Sequence, residues 1–360
     1  MRILILNWRD SSHPEGGGSE DYVEQLGQGL IKTGHEVTLH CARYAGATAT
    51  ARQGQLDIRR KGGRLSVYPH GLAAVLRLKP DVVVDVQNHL PFFSRLVHKR
   101  VITVVHHLGR EQWLATYGKV AGRAGWWIES WLAPRIQRGS RYVAVSTPTR
   151  NDLIALGIKP DAITVAYNAS DPPPHRPMPL SKAPHPLIVV VGRMMPHKQI
   201  AHAVDIAARL ADEFPGLRLQ IIGDGPLREE IARHVTSLGA ESFVEMMGHL
   251  DDQSKLDTVA KAWLLICPSL KEGWGRVVME AAAEGVPAVA YRHAGGLSES
   301  IVHGQTGLLA DSLEEMTEHV RSLLKDDTAR EAMGDEAKAY ASTFTVERLV
   351  AEFDSLLRLL

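Results

Sequence analysis

Pro268-Ser269-Leu270-Lys271-Glu272-Gly273-Trp274-Gly275-Arg276-Val277-Val278-Met279-Glu280-Ala281 follows an apolar run, Ala262–Cys267, and opens a helical pattern over Val277–Glu284. An apolar run without alternation predicts a strand buried on both faces. Joined through a glycine loop to a helix, it reads as one unit of a parallel α/β sheet. Gly273 and Gly275 permit a loop that aims several N–H groups at one point. Glu272 stands just past the strand, and Glu280 falls in the first turns of the helix, among the apolar residues Val277 to Ala283. This spacing lets both carboxylates face one elongated polyhydroxylated ligand, with a helix N-terminus between them suited to a phosphate. A capping role for Glu272 and an exposed helical position for Glu280 are the alternatives.

The same strand–loop–helix unit recurs outward along the chain. Strands are expected at Leu187–Val191, Leu217–Ile222, Phe243–Met247 and Pro287–Ala290, with helices at Gln199–Glu213 and Leu227–Leu238. In the first half, strands are expected at Ile3–Leu6, Val37–His40, Val82–Val86, Val101–Val105 and Tyr142–Val145, with a helix from about Glu20 to Lys32. Between the halves, seven of the 19 prolines lie from Pro172 to Pro186, which neither a helix nor a central strand tolerates. The expectation is an α/β protein of two parallel-sheet domains, residues 1–170 and 171–345, with a cleft at the strand carboxyl ends. The 360-residue length suits two domains.

Composition narrows the function. With 44% hydrophobic and 23% charged residues, the chain reads as neither disordered nor fibrous. Lys+Arg and Asp+Glu are 41 each, so the globally basic footprint of a nucleic-acid binder is absent. The balance is uneven: residues 1–170 carry 22 basic and 13 acidic residues, the remainder 19 and 28. Either the halves attract each other or the first half faces something anionic. Two distant cysteines, Cys41 and Cys267, point to a reducing compartment. The opening apolar run, Ile3–Leu6, is too short for a signal peptide or a membrane span.

Three further loops invite chemistry. Glu15-Gly16-Gly17-Gly18-Ser19-Glu20 lies between strand and helix, and reads either as contact with phosphate or sugar or as a tight turn with Ser19 as N-cap. Gly192-Arg193-Met194-Met195-Pro196-His197-Lys198 follows a strand, and its two cations, five residues apart, either converge on one anion or stand as solvated surface cations. Ile222-Gly223-Asp224-Gly225-Pro226 is a structural turn or a ligand contact, without the spacing of a dinucleotide fingerprint.

With these residues in order, the chain resembles the family 4 glycosyltransferases, retaining enzymes of the GT-B fold. Its Glu272 and Glu280 match the family's E-x7-E spacing. The resemblance extends to the triple glycine, Gly34-His35-Glu36-Val37, Val143-Ala144-Val145-Ser146, Gly223-Asp224-Gly225-Pro226, Gly285-Val286-Pro287 and Gly295-Gly296-Leu297-Ser298-Glu299. It implies that Arg193 and Lys198 bind the diphosphate of a nucleotide-sugar donor and that Glu272 accepts hydrogen bonds from its sugar. Gly273, Trp274 and Gly275 would offer N–H groups to that sugar, Glu280 would hold the ribose, and Gly17 and Gly18 would approach phosphate or acceptor. His106 matches a histidine near the reacting carbon. Gly223, Arg276 and Val277 join the expected donor site, and residues 346–360 are expected to return as a helix to the first domain. Four departures stand out: Ala169 and Gln199 where glycine is common, His107 where an acid often follows the histidine, and Arg276 where an aliphatic residue is usual.

The implied reaction is transfer of a hexose from a nucleotide diphosphate-sugar, UDP-linked by family frequency, to a hydroxyl on a glycan, glycolipid or small glycoside. No cofactor or metal is expected, because Asp-x-Asp and H-E-x-x-H are both absent. A nucleotide-sugar sensor and a GT-B-like epimerase are the rival readings. Residues 119–141, with Trp126, Trp127 and Trp131 among Lys119, Arg123, Arg135 and Arg138, suit the headgroup level of a membrane. They also suit packing into the core of the first domain, or a dimer interface. The expected location is cytoplasmic, with peripheral contact at the inner membrane face if the first alternative holds.

Overall fold

A computed structural model describes residues 1–14, 16–170 and 180–360, with the backbone alone at residues 111, 112, 115 and 116. Glu15 of the glycine loop and most of the proline-rich stretch, residues 171–179, lie outside the described residues. The elements of the first part are β1 (Arg2–Leu6), α1 (Gly18–Lys32), β2 (Glu36–Cys41), β3 (Thr50–Gln53), β4 (Leu56–Arg60), α2 (Val67–Leu78), β5 (Val82–Gln87), β6 (Val101–Val105), α3 (Arg110–Trp127), α4 (Ala133–Ile136), β7 (Arg141–Ala144), α5 (Thr147–Ala155) and β8 (Ile163–Val165). There follow β9 (Leu187–Val191), α6 (Ile200–Leu210), β10 (Arg218–Ile222), α7 (Arg228–Ser237), β11 (Val244–Gly248), α8 (Asp252–Lys261), β12 (Leu264–Cys267), α9 (Arg276–Ala283), β13 (Ala288–Tyr291), α10 (Leu297–Ser300), β14 (Gly307–Ala310), α11 (Leu313–Lys325), α12 (Asp327–Ala341) and α13 (Val346–Arg358). They form two units: Met1–Ala169 with Thr345–Leu360, and Ser170–Phe344.

Unit 1 is built on an eight-stranded sheet in the order β3-β4-β2-β1-β5-β6-β7-β8. It is parallel except at one edge, where β3 runs antiparallel to β4, pairing Thr50 with Arg59. The short polar run of β3 carries no apolar signature, so the expectation of strands from apolar runs passes over it. Strand β5 is buried along its whole length, and it carries one carboxylate, Asp85. Burial pushes this acid up from its usual range, against hydrogen bonds from the N–H groups of Phe92 and Ser94, the Ser94 hydroxyl and Gln137. The bonds satisfy the buried group and pin the loop after β5 and the end of α4. Helix α13 buries Leu349, Val350, Phe353, Leu356 and Leu357 and packs on α1. The helices approach closely at Gly29, where an added Cβ would stand 2.3 Å from Val350.

Unit 2 is a six-stranded, wholly parallel sheet in the order β11-β10-β9-β12-β13-β14. Its strands and the inner faces of α6, α9 and α11 share one core, including Ile188, Val189, Val204, Leu264, Val278 and Val320. At the carboxyl ends of β9 and β10 the following loops touch backbone to backbone. Gly223 has φ 132°, and a Cβ there would lie 2.1 Å from the Gly192 carbonyl oxygen. That contact explains the glycine as a packing requirement.

Candidate functional site

In unit 2 the loops after β9 and β12 are tied together. The N–H of Leu270 donates to the His197 carbonyl at 2.8 Å, and Lys198 Nζ lies 2.6 Å from Glu272 Oε1. Burial alone would raise the Glu272 carboxyl, but the Lys198 ammonium, with a hydrogen bond from Ser269, outweighs it and holds the acid below its usual range. Burial would likewise lower the Lys198 amine, and Glu272 reverses the direction. Arg193 stands apart: it is exposed, with no ion pair among the described residues.

The rest of the glycine loop is held by its neighbours. Glu272 N–H donates to the Ala294 carbonyl, and Gly296 N–H donates back to the Glu272 carbonyl. Trp274 is 2% exposed and meets the Phe344 ring edge-on at 4.9 Å, so its indole anchors the loop. Gly275, with φ 87°, is the N-cap of α9, and a Cβ there would strike Leu297 at 2.2 Å. The first bond into the helix comes from Val278 N–H to the Gly275 carbonyl, which leaves the N–H groups of Arg276 and Val277 ahead of the intrahelical ladder. Glu280 sits between two cations, 3.0 Å from Arg276 Nε and 3.1 Å from Lys255 Nζ. Sequence reading passes over Lys255 because a single cation on an amphipathic helix carries no motif. It also passes over Ser269, a buried serine with no pattern of its own.

In unit 1 helix α1 begins at Gly18, with Gly17 as N-cap, so the expected Ser19 cap is displaced by two residues. The reason is Glu20: its carboxylate takes the Gly17 N–H at 2.9 Å and the Ser19 hydroxyl at 2.8 Å, closing the turn from within. Beneath it lies a buried polar cluster. Asp10, fully buried, is gripped by Arg60 through Nε at 2.6 Å and Nη2 at 3.0 Å, while Ser11 donates twice to Glu24.

His106 follows β6 and is 7% exposed. Burial pushes its imidazole down to about 3, so it is neutral, and its Nε2 has no hydrogen-bond partner among the described residues. The Tyr22 ring meets it edge-on at 5.1 Å, and the Tyr22 hydroxyl is also buried without a partner among the described residues. The neighbouring His107 packs against His89 at 5.5 Å, which in turn meets Trp113 at 5.1 Å.

The tryptophans of the 119–141 segment divide. Trp126 packs against the core cluster that includes Val105, Leu108 and Tyr142. Trp127 and Trp131 are 51% and 43% exposed and stack on each other at 4.9 Å, with the Arg135 guanidinium 4.0 Å over Trp131. Among the described residues no helix is long and apolar enough to cross a membrane, and no three His, Cys, Asp or Glu side chains cluster as metal ligands.

Comparison with known proteins follows this division. Residues 16–172 match Glycosyltransferase Family 4, and residues 174–340 match Glycosyl transferases group 1. A glycogen synthase of Mycobacterium tuberculosis (strain H37Rv) is 31% identical over 406 residues, covering 98% of this chain and 91% of the relative. An exopolysaccharide phosphotransferase of Streptomyces coelicolor is 34% identical over 172 residues, 47% of this chain and only 18% of that relative's length. Among solved structures, sucrose-phosphate synthase of Thermosynechococcus elongatus matches with a TM-score of 0.84 at 18% identity, covering 99% of this chain and 98% of the other. HepE of Anabaena, in complex with UDP-glucose, matches with a TM-score of 0.79 at 18% identity over 100% of both chains. The two parallel-sheet units are thus those of the GT-B architecture, and the chain belongs to the family 4 glycosyltransferases.

Proposed function

We propose that this chain moves a hexose, with retention of configuration, from a nucleotide diphosphate-sugar to an acceptor hydroxyl. The observation that carries the reading is the ion pair of Lys198 and Glu272 on two adjoining strand-end loops, beside the N-terminus of α9. A diphosphate needs cations and N–H donors, which Arg193, Lys198, Arg276 and Val277 supply. A sugar needs a hydroxyl acceptor, which Glu272 supplies with Gly273, Trp274 and Gly275 as backbone donors. Glu280 accepts from ribose hydroxyls in this reading, and its charge balance by Arg276 and Lys255 supports a carboxylate there. Uridine is the favoured base, and the UDP-glucose complex of HepE supports that choice.

The leaving diphosphate gains charge as the bond from the anomeric carbon to phosphate oxygen breaks. Fixed cations and helix N–H groups stabilise that charge, the electrostatic form of catalysis. The acceptor oxygen bonds the same face of the carbon, and its proton passes to the departing phosphate oxygen. His106, neutral and buried beside Tyr22, orients hydroxyls rather than taking the proton. The paired cations fill the place of a metal, so turnover persists in chelator.

The test is release of nucleotide diphosphate and glycoside product when the protein is incubated with UDP-sugars and candidate acceptors, with and without chelator. Tight nucleotide-sugar binding without turnover would turn the reading into that of a sensor, and full, reversible loss in chelator would overturn metal independence.

The acceptor side is a sugar or a lipid-linked sugar. Favouring the lipid is an exposed stripe on α3 and the turn after it: Val120, Ala124, Trp127 and Trp131, flanked by exposed Lys119, Arg123, Arg135 and Arg138. The one described acid between Tyr117 and Arg141, Glu129, is buried against the Trp113 indole. Indoles set among unopposed cations suit anionic headgroups, giving peripheral contact at the inner face of a membrane from a cytoplasmic position. Co-sedimentation with anionic vesicles, lost with salt and with Trp127→Ala/Trp131→Ala, is the expected result. Concentration-dependent dimers abolished by the same variant would return the stripe to a protein interface.

A further inference from the structure

A second cationic site in unit 1 adjoins, through Arg60, the polar cluster beneath the glycine loop. A cavity of about 660 Å³ opens between β2, β3, β4 and α2. Arg59, Arg60 and Lys61 line it from the carboxyl end of β4, His70 and Arg77 from α2, and His40 from the end of β2. Its one acid, Asp57, stands 3.6 Å from Arg52, and Arg60 is spent on Asp10. Arg59, Lys61 and Arg77 have no ion pair among the described residues. His40 is 4% exposed, and its Nε2 finds no hydrogen-bond partner among the described residues. A buried polar atom without a partner is costly, and the cost persists only where a ligand or water answers it.

We infer that this cavity is a binding site for an organic phosphomonoester of about the size of a hexose phosphate. The charge argues for phosphate: three unopposed cations exceed what a single carboxylate neutralises, and guanidinium forks match phosphate oxygens. The volume exceeds what a bare phosphate fills. The apolar lining of Ala49, Ala51, Ile58, Ala73 and Ala74, with the Thr50 hydroxyl, gives an organic body its contact. Burial, with like charge from His70, Arg77, Lys61 and Arg59, pushes the His40 imidazole down to about 4. It stays neutral, able to donate or accept one hydrogen bond without adding charge. The carboxyl ends of parallel strands are where open α/β sheets take ligands, and β2 and β4 both end here.

The probe is glucose 6-phosphate, titrated calorimetrically into the full chain at constant ionic strength, with UDP saturating so that the donor loops of unit 2 are occupied. A single saturable site is expected. It should weaken about tenfold or more in Arg59→Ala and in Arg77→Ala, recover in part in Arg77→Lys, and be absent for glucose. Arg77 is exposed and Arg59 half-buried, so both variants should keep the parent melting temperature. A titration that does not saturate, or one unchanged by both substitutions, would overturn the site.

Discussion

The loops after β9 and β12 in unit 2 and the buried His106, Tyr22 and His40 of unit 1 hold their groups in opposite electrostatic states. In unit 2 the groups are charged and matched: Lys198 with Glu272, and Glu280 with Arg276 and Lys255, while Arg193 stands exposed. In unit 1 His106, Tyr22 and His40 are buried, neutral and without hydrogen-bond partners for Nε2 or the hydroxyl among the described residues. A matched pair is preorganised for an anion beside it but is sensitive to loss of either charge. A buried neutral group is indifferent to such changes and sensitive to protons. The strongest way to break the comparison is therefore to unmatch the pair.

Lys198→Ala should have the largest effect. On the proposed mechanism it removes a cation from the leaving diphosphate, and it leaves Glu272 half-buried without its ion-pair partner. The expected result is kcat lower by about 10³-fold and a stability loss of about 2 kcal/mol, less than for a fully enclosed pair. The double substitution Lys198→Met/Glu272→Leu should regain the melting temperature and none of the turnover. Recovery of turnover in the double variant would mean that the pair serves folding alone. Glu272→Ala sharpens the same point: it should weaken the intact sugar donor about tenfold, from lost hydroxyl contacts, and spare the bare nucleotide diphosphate. Equal weakening of both would remove Glu272 from the sugar.

Arg193→Ala comes next. With no ion pair to break among the described residues, it should leave the melting temperature unchanged and lower kcat by about 10²-fold. A large fall in stability with little effect on kcat would show that Arg193 is a structural residue and separate it from Lys198.

How much of this was legible in the sequence follows from the physics of each residue. Strands such as Leu187–Val191 and Val101–Val105 are buried on both faces, so their apolar runs announce them at the right positions. Edge strand β3 and its neighbour β4 carry polar residues through their runs and do not stand out, and with them goes the cationic cavity that they line. Glu272, Glu280, Arg193 and Lys198 stand out in the sequence as candidates because loop motifs keep local spacing, and the structure pairs Lys198 with Glu272. Lys255 and the grip of Arg60 on Asp10 do not, because each depends on a contact across distant sequence, and Ser269 does not, because a buried serine beside Glu272 carries no pattern of its own. The tryptophan segment shows the same limit: spacing put Trp127 and Trp131 on one helical face, but only packing separates them from Trp126.

Acid should expose the other side of the comparison. An unfolded imidazole titrates near 6.5, whereas His106 and His40 are held down to about 3 and about 4. Below pH 6.5 the unfolded chain takes protons that the folded one refuses, so stability falls as pH drops from 6.5 toward 4. Above 6.5 the imidazoles contribute no slope. Each adds up to about 1.4 kcal/mol per pH unit within that window. In unit 2 His202 and His303 are also lowered but are less buried, and Glu272, held below its usual range, keeps its contribution until lower pH. Melting followed against pH should show unit 1 failing first between pH 6.5 and 5, with the slope reduced in His106→Gln. A slope untouched by His106→Gln and His40→Gln would deny that buried neutrality is what distinguishes unit 1.

The smallest effect belongs to Gln199, which directly follows Lys198. Its φ is 45°, in the left-handed region, at the N-cap of α6. A side chain costs about 1 kcal/mol in that conformation, whereas glycine adopts it freely. Gln199→Gly should therefore relieve strain beside the ion pair, offset in part by the greater freedom of glycine in the unfolded chain. The net expectation is a gain of about 0.5 kcal/mol, or roughly 1–2 °C in Tm for a unit of this size. Gln199→Ala separates strain from side-chain loss, since it removes the amide but keeps the Cβ, and it should give no gain. If glycine and alanine shifted Tm alike, the backbone at this position would be unstrained, and the register of Lys198 against Glu272 would owe nothing to the turn that follows it.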